Sequence, residues 1–102
     1  MNEKWRVFIT PHWHFDAMWQ LPFKEYFEIT AKNITDLLEF LDLQPEYRFC
    51  LDQTVYIEEF LKRYPELKEK LVSALETGAI EPVCSGYTQP DSNLPSGEFL
   101  VR

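Results

Sequence analysis

Residues 5–51 read WRVFITPHWHFDAMWQLPFKEYFEITAKNITDLLEFLDLQPEYRFCL. Trp5–Thr10 is a short run of aromatic and β-branched residues closed by Pro11, the pattern of a buried strand. Pro11 to Phe23 is a loop dense in His and aromatics. From Lys24 to about Leu43 the apolar positions Phe27, Ile34, Leu37, Leu38 and Leu41 recur at helical spacing, which turns Glu25, Lys32, Asp36 and Glu39 to water. Tyr47–Leu51 (YRFCL) is a second strand. Strand, long helix, strand is one βαβ unit, and such a unit builds a parallel sheet through a right-handed crossover.

The pattern repeats downstream. Asp52 is placed to cap a helix running through Gln53, Tyr56, Ile57, Phe60 and Leu61. Pro65 fits the first turn of a further helix, PELKEKLVSALETG, with Gly78 at its end. Ala79–Cys84 (AIEPVC) is a third strand. A polar loop from Ser85 to Pro95 follows, and Pro95 opens another helix. The fold class is α/β, the first three βα units of an incomplete parallel β/α barrel. A closed barrel of this kind takes roughly 200 or more residues, so residues 1–102 are expected to be the N-terminal fragment of a domain that continues beyond 102.

Composition narrows the function classes. At 45% hydrophobic and 16% aromatic the chain has the material for a packed core. Seventeen acids against ten bases give a net charge of −7, which argues against nucleic acid and against an anionic membrane surface. No apolar run approaches the roughly 20 residues that cross a bilayer, and no basic segment leads into an apolar one near Met1. The expected location is cytoplasmic. Cys50 and Cys84 are too few for a disulfide framework and match no zinc-ribbon spacing; they read as small buried side chains in strands.

The chemistry concentrates in Pro11-His12-Trp13-His14-Phe15-Asp16-Ala17-Met18-Trp19. In extended chain alternate side chains share a side, so His12, His14 and Asp16 point together and away from Trp13 and Phe15. Imidazole nitrogen with carboxylate oxygen is a ligand set that favours zinc over calcium or magnesium. A lone His in such a loop is more often a hydrogen-bonded packing residue; two His and an Asp on one side reverse that balance. In parallel α/β folds the active site gathers at the C-terminal ends of the strands. All three ends are polar here: His12, His14 and Asp16 after the first, Asp52 and Gln53 after the second, and Ser85, Tyr87, Gln89 and Asp91 after the third. Asp52 reads equally as a helix cap or a substrate contact, and Asp91 as turn chemistry or a substrate contact. Trp13, Trp19 and Tyr87 offer flat faces suited to stacking on a sugar ring or to core packing.

PHWHFDAMW resembles the opening metal motif of glycoside hydrolase family 38, the α-mannosidases, and LDQTVYIEEFLKRYPEL and GAIEPVCSGYTQPDSNLPSGEFLVR resemble its continuation, so that the likeness runs from Val7 to Arg102. It implies a seven-stranded β/α barrel, a zinc ion (Zn2+), and retaining hydrolysis of an α-mannoside or oligosaccharide through a covalent glycosyl-enzyme intermediate. It implies His14 and Asp16 as zinc ligands, His12 as an orienting residue behind them, and Trp19 as the aromatic lining the sugar subsite. Asp52, Tyr87 and Asp91 are the further substrate-binding candidates. The family's nucleophilic aspartate, last ligand histidine and general acid fall beyond residue 102, so the chain is expected to be inactive alone, as part of a full-length enzyme that can form a homo-oligomer. Phe15 stands where the family carries Trp or Asn, and Ala17-Met18 where it carries Arg-Glu or Pro-Gly; these changes leave both ligands in place and bear on subsite shape and linkage preference.

Retaining hydrolysis needs two carboxyl groups about 5 Å apart, one as nucleophile and one as acid and then base. A zinc ion adds a template for vicinal hydroxyls. Two other classes fit the same pattern: another barrel metallohydrolase, such as a zinc-dependent deacetylase, and a non-catalytic carbohydrate-binding remnant.

Overall fold

The computed structural model describes residues 3–14 and 20–83. Its elements are α1 (Phe23–Leu43), β1 (Phe49–Asp52), α2 (Thr54–Arg63), a single 3-10 turn (Pro65–Leu67), α3 (Lys68–Glu76) and β2 (Ile80–Val83). β1 and β2 pair in parallel, Phe49 opposite Ile80 and Asp52 opposite Val83. The crossover between them is the α2–α3 helix pair.

α1 forms because one apolar stripe repeats at helical spacing. Phe27, Ala31, Ile34 and Leu38 are buried along it, while Glu25, Lys32, Asp36 and Glu39 face water. Thr30 sits in that stripe at no cost in unpaired polarity, since its hydroxyl donates back to the carbonyls of Tyr26 and Phe27. The stripe packs on Leu51 of β1, on Val55, Tyr56 and Phe60 of α2, on Leu71 and Ala74 of α3, and on Ala79 and Ile80. Each large side chain fully buried in such a core contributes about 1.5–3 kcal/mol. The Arg63 guanidinium lies 4.5 Å over the Phe27 ring, tying α2 to α1 with a cation–π contact.

Charge stitches the outer faces. Lys32 pairs with Asp36 within α1, and Lys70 of α3 pairs with Asp42 of α1 at 2.6 Å. In each case the hydrogen bond to the carboxylate, more than its Coulombic pull, holds the lysine above its ordinary value. Gly78 takes φ 76, the left-handed conformation that lets the chain leave α3 and enter β2 directly.

Three expectations from the sequence are corrected. Trp5–Thr10 is not a buried strand: Trp5 is 89% exposed and Ile9 87%, and the extended segment meets β1 only where Cys50 donates to the Pro11 carbonyl and pairs in parallel with His12. A run apolar on both faces needs cover on both, and the described residues supply none. The second strand starts at Phe49 rather than Tyr47, because Arg48 folds back on the Pro45 and Tyr47 carbonyls and the Tyr47 ring packs edge-on to Phe40 at 4.8 Å. Asp52 does not cap α2; it is the last residue of β1, and Gln53 holds the cap position with no side-chain cap bond. Two parallel strands are therefore formed among the described residues, where three were expected.

Candidate functional site

The parallel register decides where the chemistry gathers. The Pro11–His12 segment, β1 and β2 run in one direction side by side, so the residues that follow His12 and those that close β1 emerge at the same end. Trp13 fastens the first of these segments to the second. Its ring stands edge-on to Phe49 at 5.9 Å and to Tyr56 at 6.2 Å, and its indole N–H donates to the Asp52 main-chain carbonyl at 3.3 Å. Trp13 is thus a strut between loop and strand rather than a free face for a sugar ring.

His14 leaves that strut against the Asp52 side chain. Its Nδ1 lies 3.7 Å from Asp52 Oδ2, with the imidazole 57% exposed and the carboxyl 7%. Asp52 Oδ1 is buried and accepts no hydrogen bond among the described residues. A buried carboxylate oxygen in that position forgoes about 1–3 kcal/mol of hydration, more when charged. The next residue, Gln53, is itself buried and takes φ 65, a backbone region that favours glycine. A strained residue beside an unsatisfied carboxylate at a strand end is a departure from packing economy of the kind that functional sites show.

His12 takes another course. Its ring nitrogen Nδ1 lies 3.2 Å from the Trp13 carbonyl, the side chain is exposed, and it opens on a cavity of about 260 Å³ lined by Asn33, Asp36, Leu37 and Phe49. Asp16, Trp19, Tyr87 and Asp91 lie outside the described residues, as do Phe15, Cys84 and Ser85–Pro95. Of the candidate site residues, the structure therefore brings together His14 and Asp52, with Gln53 alongside.

This pair is chemically suited to a cation such as zinc. An imidazole nitrogen and a carboxylate oxygen are the donors a zinc shell uses, and a buried oxygen without a partner is one that a cation would satisfy. The described residues hold no group of three metal-capable side chains, so further ligands would come from outside them.

Sequence reasoning passed over two participants. The sequence turns Trp13 away from His12 and His14 and offers its ring to a sugar or to the core, but gives no sign that its indole N–H ties the loop to the Asp52 carbonyl. The left-handed backbone of Gln53 carried no signal, since Gly, Asn or Asp is the usual residue at positive φ.

The sequence model for the Glycosyl hydrolases family 38 N-terminal domain matches residues 4–102. Alpha-mannosidase 2C1 of Homo sapiens is 33% identical over 96 residues, 94% of this chain and 9% of the human protein. Alpha-mannosidase G of Dictyostelium discoideum is 30% identical over 97 residues, 95% of this chain and 9% of that protein. In three dimensions the chain is similar to an alpha-mannosidase from Enterococcus faecalis V583, with a TM-score of 0.69 and 29% identity over 76% of this chain and 9% of that one. The chain thus spans about a tenth of the length of the relatives it matches. On the family match over residues 4–102 and these likenesses, the chain belongs to the glycosyl hydrolase family 38 N-terminal domain family.

Proposed function

We propose that the chain is the opening part of the catalytic domain of a zinc-dependent, retaining α-mannosidase, whose barrel and active site are completed by residues outside it. The observation that carries this reading is the family match over residues 4–102, with His14 standing at the strand-end rim against a buried carboxylate.

His14 and Asp16 hold the metal, and His12 orients the loop that presents them. Zinc, when bound, would supply a template for vicinal sugar hydroxyls. Trp19 and Tyr87 line the mannose subsite, and Asp91 hydrogen-bonds the sugar. The nucleophile and the acid belong to the remainder of the enzyme, so this chain binds and orients while the reacting carboxyls come from elsewhere. The substrate is a terminal α-linked mannose of a glycan or oligosaccharide, the enzyme works in the cytoplasm, and it can form homo-oligomers. The exposed Trp5, Val7, Phe8 and Ile9 support the barrel reading, because a closing sheet would give this apolar segment the neighbour and the cover it lacks.

Hydrolysis of an aryl α-mannoside tests the proposal. The enzyme encoded by a reading frame continuing past Arg102 should cleave it with retention, and residues 1–102 alone should not. Cleavage by the isolated chain would sink the assignment of the reacting carboxyls, and a full-length product that instead removes N-acetyl groups would replace the mannosidase with a deacetylase.

A further inference from the structure

Tyr56 is the third residue of α2 and is fully buried. The positive-φ turn at Gln53 starts that helix directly after β1, and the Tyr56 N–H donates to the Gln53 carbonyl at 3.3 Å. Two other rings meet the Tyr56 ring there. Trp13 stands edge-on to it at 6.2 Å, and Phe23 stacks on it at 6.0 Å with 15° between the planes; both separations lie where aromatic pairs attract beyond their buried area. These two residues flank the segment 14–22, which includes His14 and Asp16. Its nine residues could span about 30 Å if extended, yet both flanks return to one side chain. Little else fixes them. Pro11–His12 meets β1 through an isolated bridge, and α1 begins at Phe23 without a side-chain cap bond. One hydrogen bond serves each flank: the Trp13 indole N–H donates to the Asp52 carbonyl, and the Gln20 backbone N–H donates to the Tyr26 hydroxyl at 3.2 Å. Phe49 meets the first flank and Phe27 the second, whereas Tyr56 meets both.

We propose that Tyr56 is a positioning residue for the segment between Trp13 and Phe23: its ring clamps the two flanks together, so that the segment is placed from α2. The metal part of this inference rests on the reading of that segment as the carrier of zinc ligands; the clamp does not. A segment closed at both ends has already given up chain freedom that would otherwise be lost when its ligands are gathered on an ion. A tyrosine that merely filled the core would act through the stability of the whole chain, as any buried ring of similar size does. A clamp acts on two flanks at once, although nine residues separate them.

The test compares Tyr56→Leu, which removes the ring, with Tyr56→Phe, which keeps it, and with Phe60→Leu, which removes an equally buried ring of α2 that stacks on Tyr64 instead. In the isotopically labelled wild-type chain the Tyr56 ring should show nuclear Overhauser contacts to both Trp13 and Phe23; the absence of either overturns the proposal and needs no variant to fold. The chain has three tryptophans, so Trp13→Phe assigns the Trp13 indole signal. In Tyr56→Leu the Trp13 indole N–H and the Gln20 amide N–H should shift together and lose protection from hydrogen exchange, while Tyr56→Phe and Phe60→Leu leave both close to their wild-type places. Movement of one flank without the other overturns the clamp, as does the same response in Phe60→Leu. An equal response in Tyr56→Phe would assign the effect to the hydroxyl and also overturns it. In the full-length enzyme Tyr56→Leu should bind zinc about 10- to 100-fold more weakly, the loss expected when a group behind the ligands is removed, and Tyr56→Phe should bind it as the wild type does. Coupled flanks with unchanged zinc affinity keep the clamp and overturn the metal part, whereas a wild-type enzyme that binds no zinc sinks the reading of the segment as a zinc carrier.

Discussion

Replacing Trp13 with alanine removes the strut that holds the segment from His12 to His14 to the sheet. Two edge-on aromatic contacts are lost, to Phe49 and Tyr56, each worth about 0.5–1.5 kcal/mol beyond buried area. The hydrogen bond to the Asp52 carbonyl goes too, a long one at 3.3 Å and so at the lower end of about 0.5–1.5 kcal/mol. A fully buried Trp→Ala change costs about 3–5 kcal/mol; since Trp13 is half-buried, the expected loss is about 2–3 kcal/mol. Trp13→Phe keeps a ring between Phe49 and Tyr56 and loses the N–H, and should cost about 1 kcal/mol. Urea unfolding followed by far-ultraviolet circular dichroism measures both. With a slope of about 1–1.5 kcal/mol per molar urea for a chain this small, the alanine midpoint should fall by about 2 M. A loss under about 0.5 kcal/mol, the range of ordinary surface substitutions, would show that Trp13 does not fasten the loop and that the position of His14 is set by something else.

Three further outcomes follow from the structure. Gln53→Gly and Gln53→Ala both remove the buried side chain, but only glycine relieves the positive φ, so the glycine variant should be more stable than the alanine variant by about 1 kcal/mol; equal stabilities would show that the backbone there stores no strain. The Lys70–Asp42 pair between α1 and α3 raises the lysine above 10.5, so its contribution is complete below the ordinary lysine value and disappears as pH rises through the raised one; Lys70→Gln should flatten that alkaline limb of a stability profile, and an unaltered limb would refute it. Val7→Lys with Ile9→Lys should reduce self-association of the chain in light scattering, because both side chains are exposed in an extended apolar segment; equal association would place the contact elsewhere.

How much was legible before the fold was known depended on periodicity. The long helix was, because Phe27, Ile34 and Leu38 repeat at a spacing no strand can use, and the structure begins it one residue earlier, at Phe23. The last strand was as well, with Gly78 marking the exit from α3. Strand pairing was harder, since it depends on what lies alongside. Trp5–Thr10 has strand composition and no strand partner beyond the Pro11–His12 contact with Cys50, and Tyr47 and Arg48 were diverted by contacts to Phe40 and to the turn carbonyls. The site divided in the same way. The HxHxD spacing announced itself, but the partnership of His14 with Asp52 joins residues 38 positions apart through a parallel crossover, and a carboxylate at a strand end looks in sequence like a helix cap.

The central claim is that the loop beginning at His12 carries a zinc site of the mannosidase kind with His14 as a ligand, and the zinc content of two variants of the full enzyme tests it most directly. His14→Ala should lose its bound zinc, because the remaining ligands cannot hold the ion in a site that keeps a position open for substrate. His12→Ala should retain zinc with affinity weakened by about 10- to 100-fold, as befits a residue that orients the ligands. Stoichiometric zinc in His14→Ala together with its loss from His12→Ala would contradict the account, shifting the metal motif by two residues and taking the roles of Asp16 and Trp19 with it.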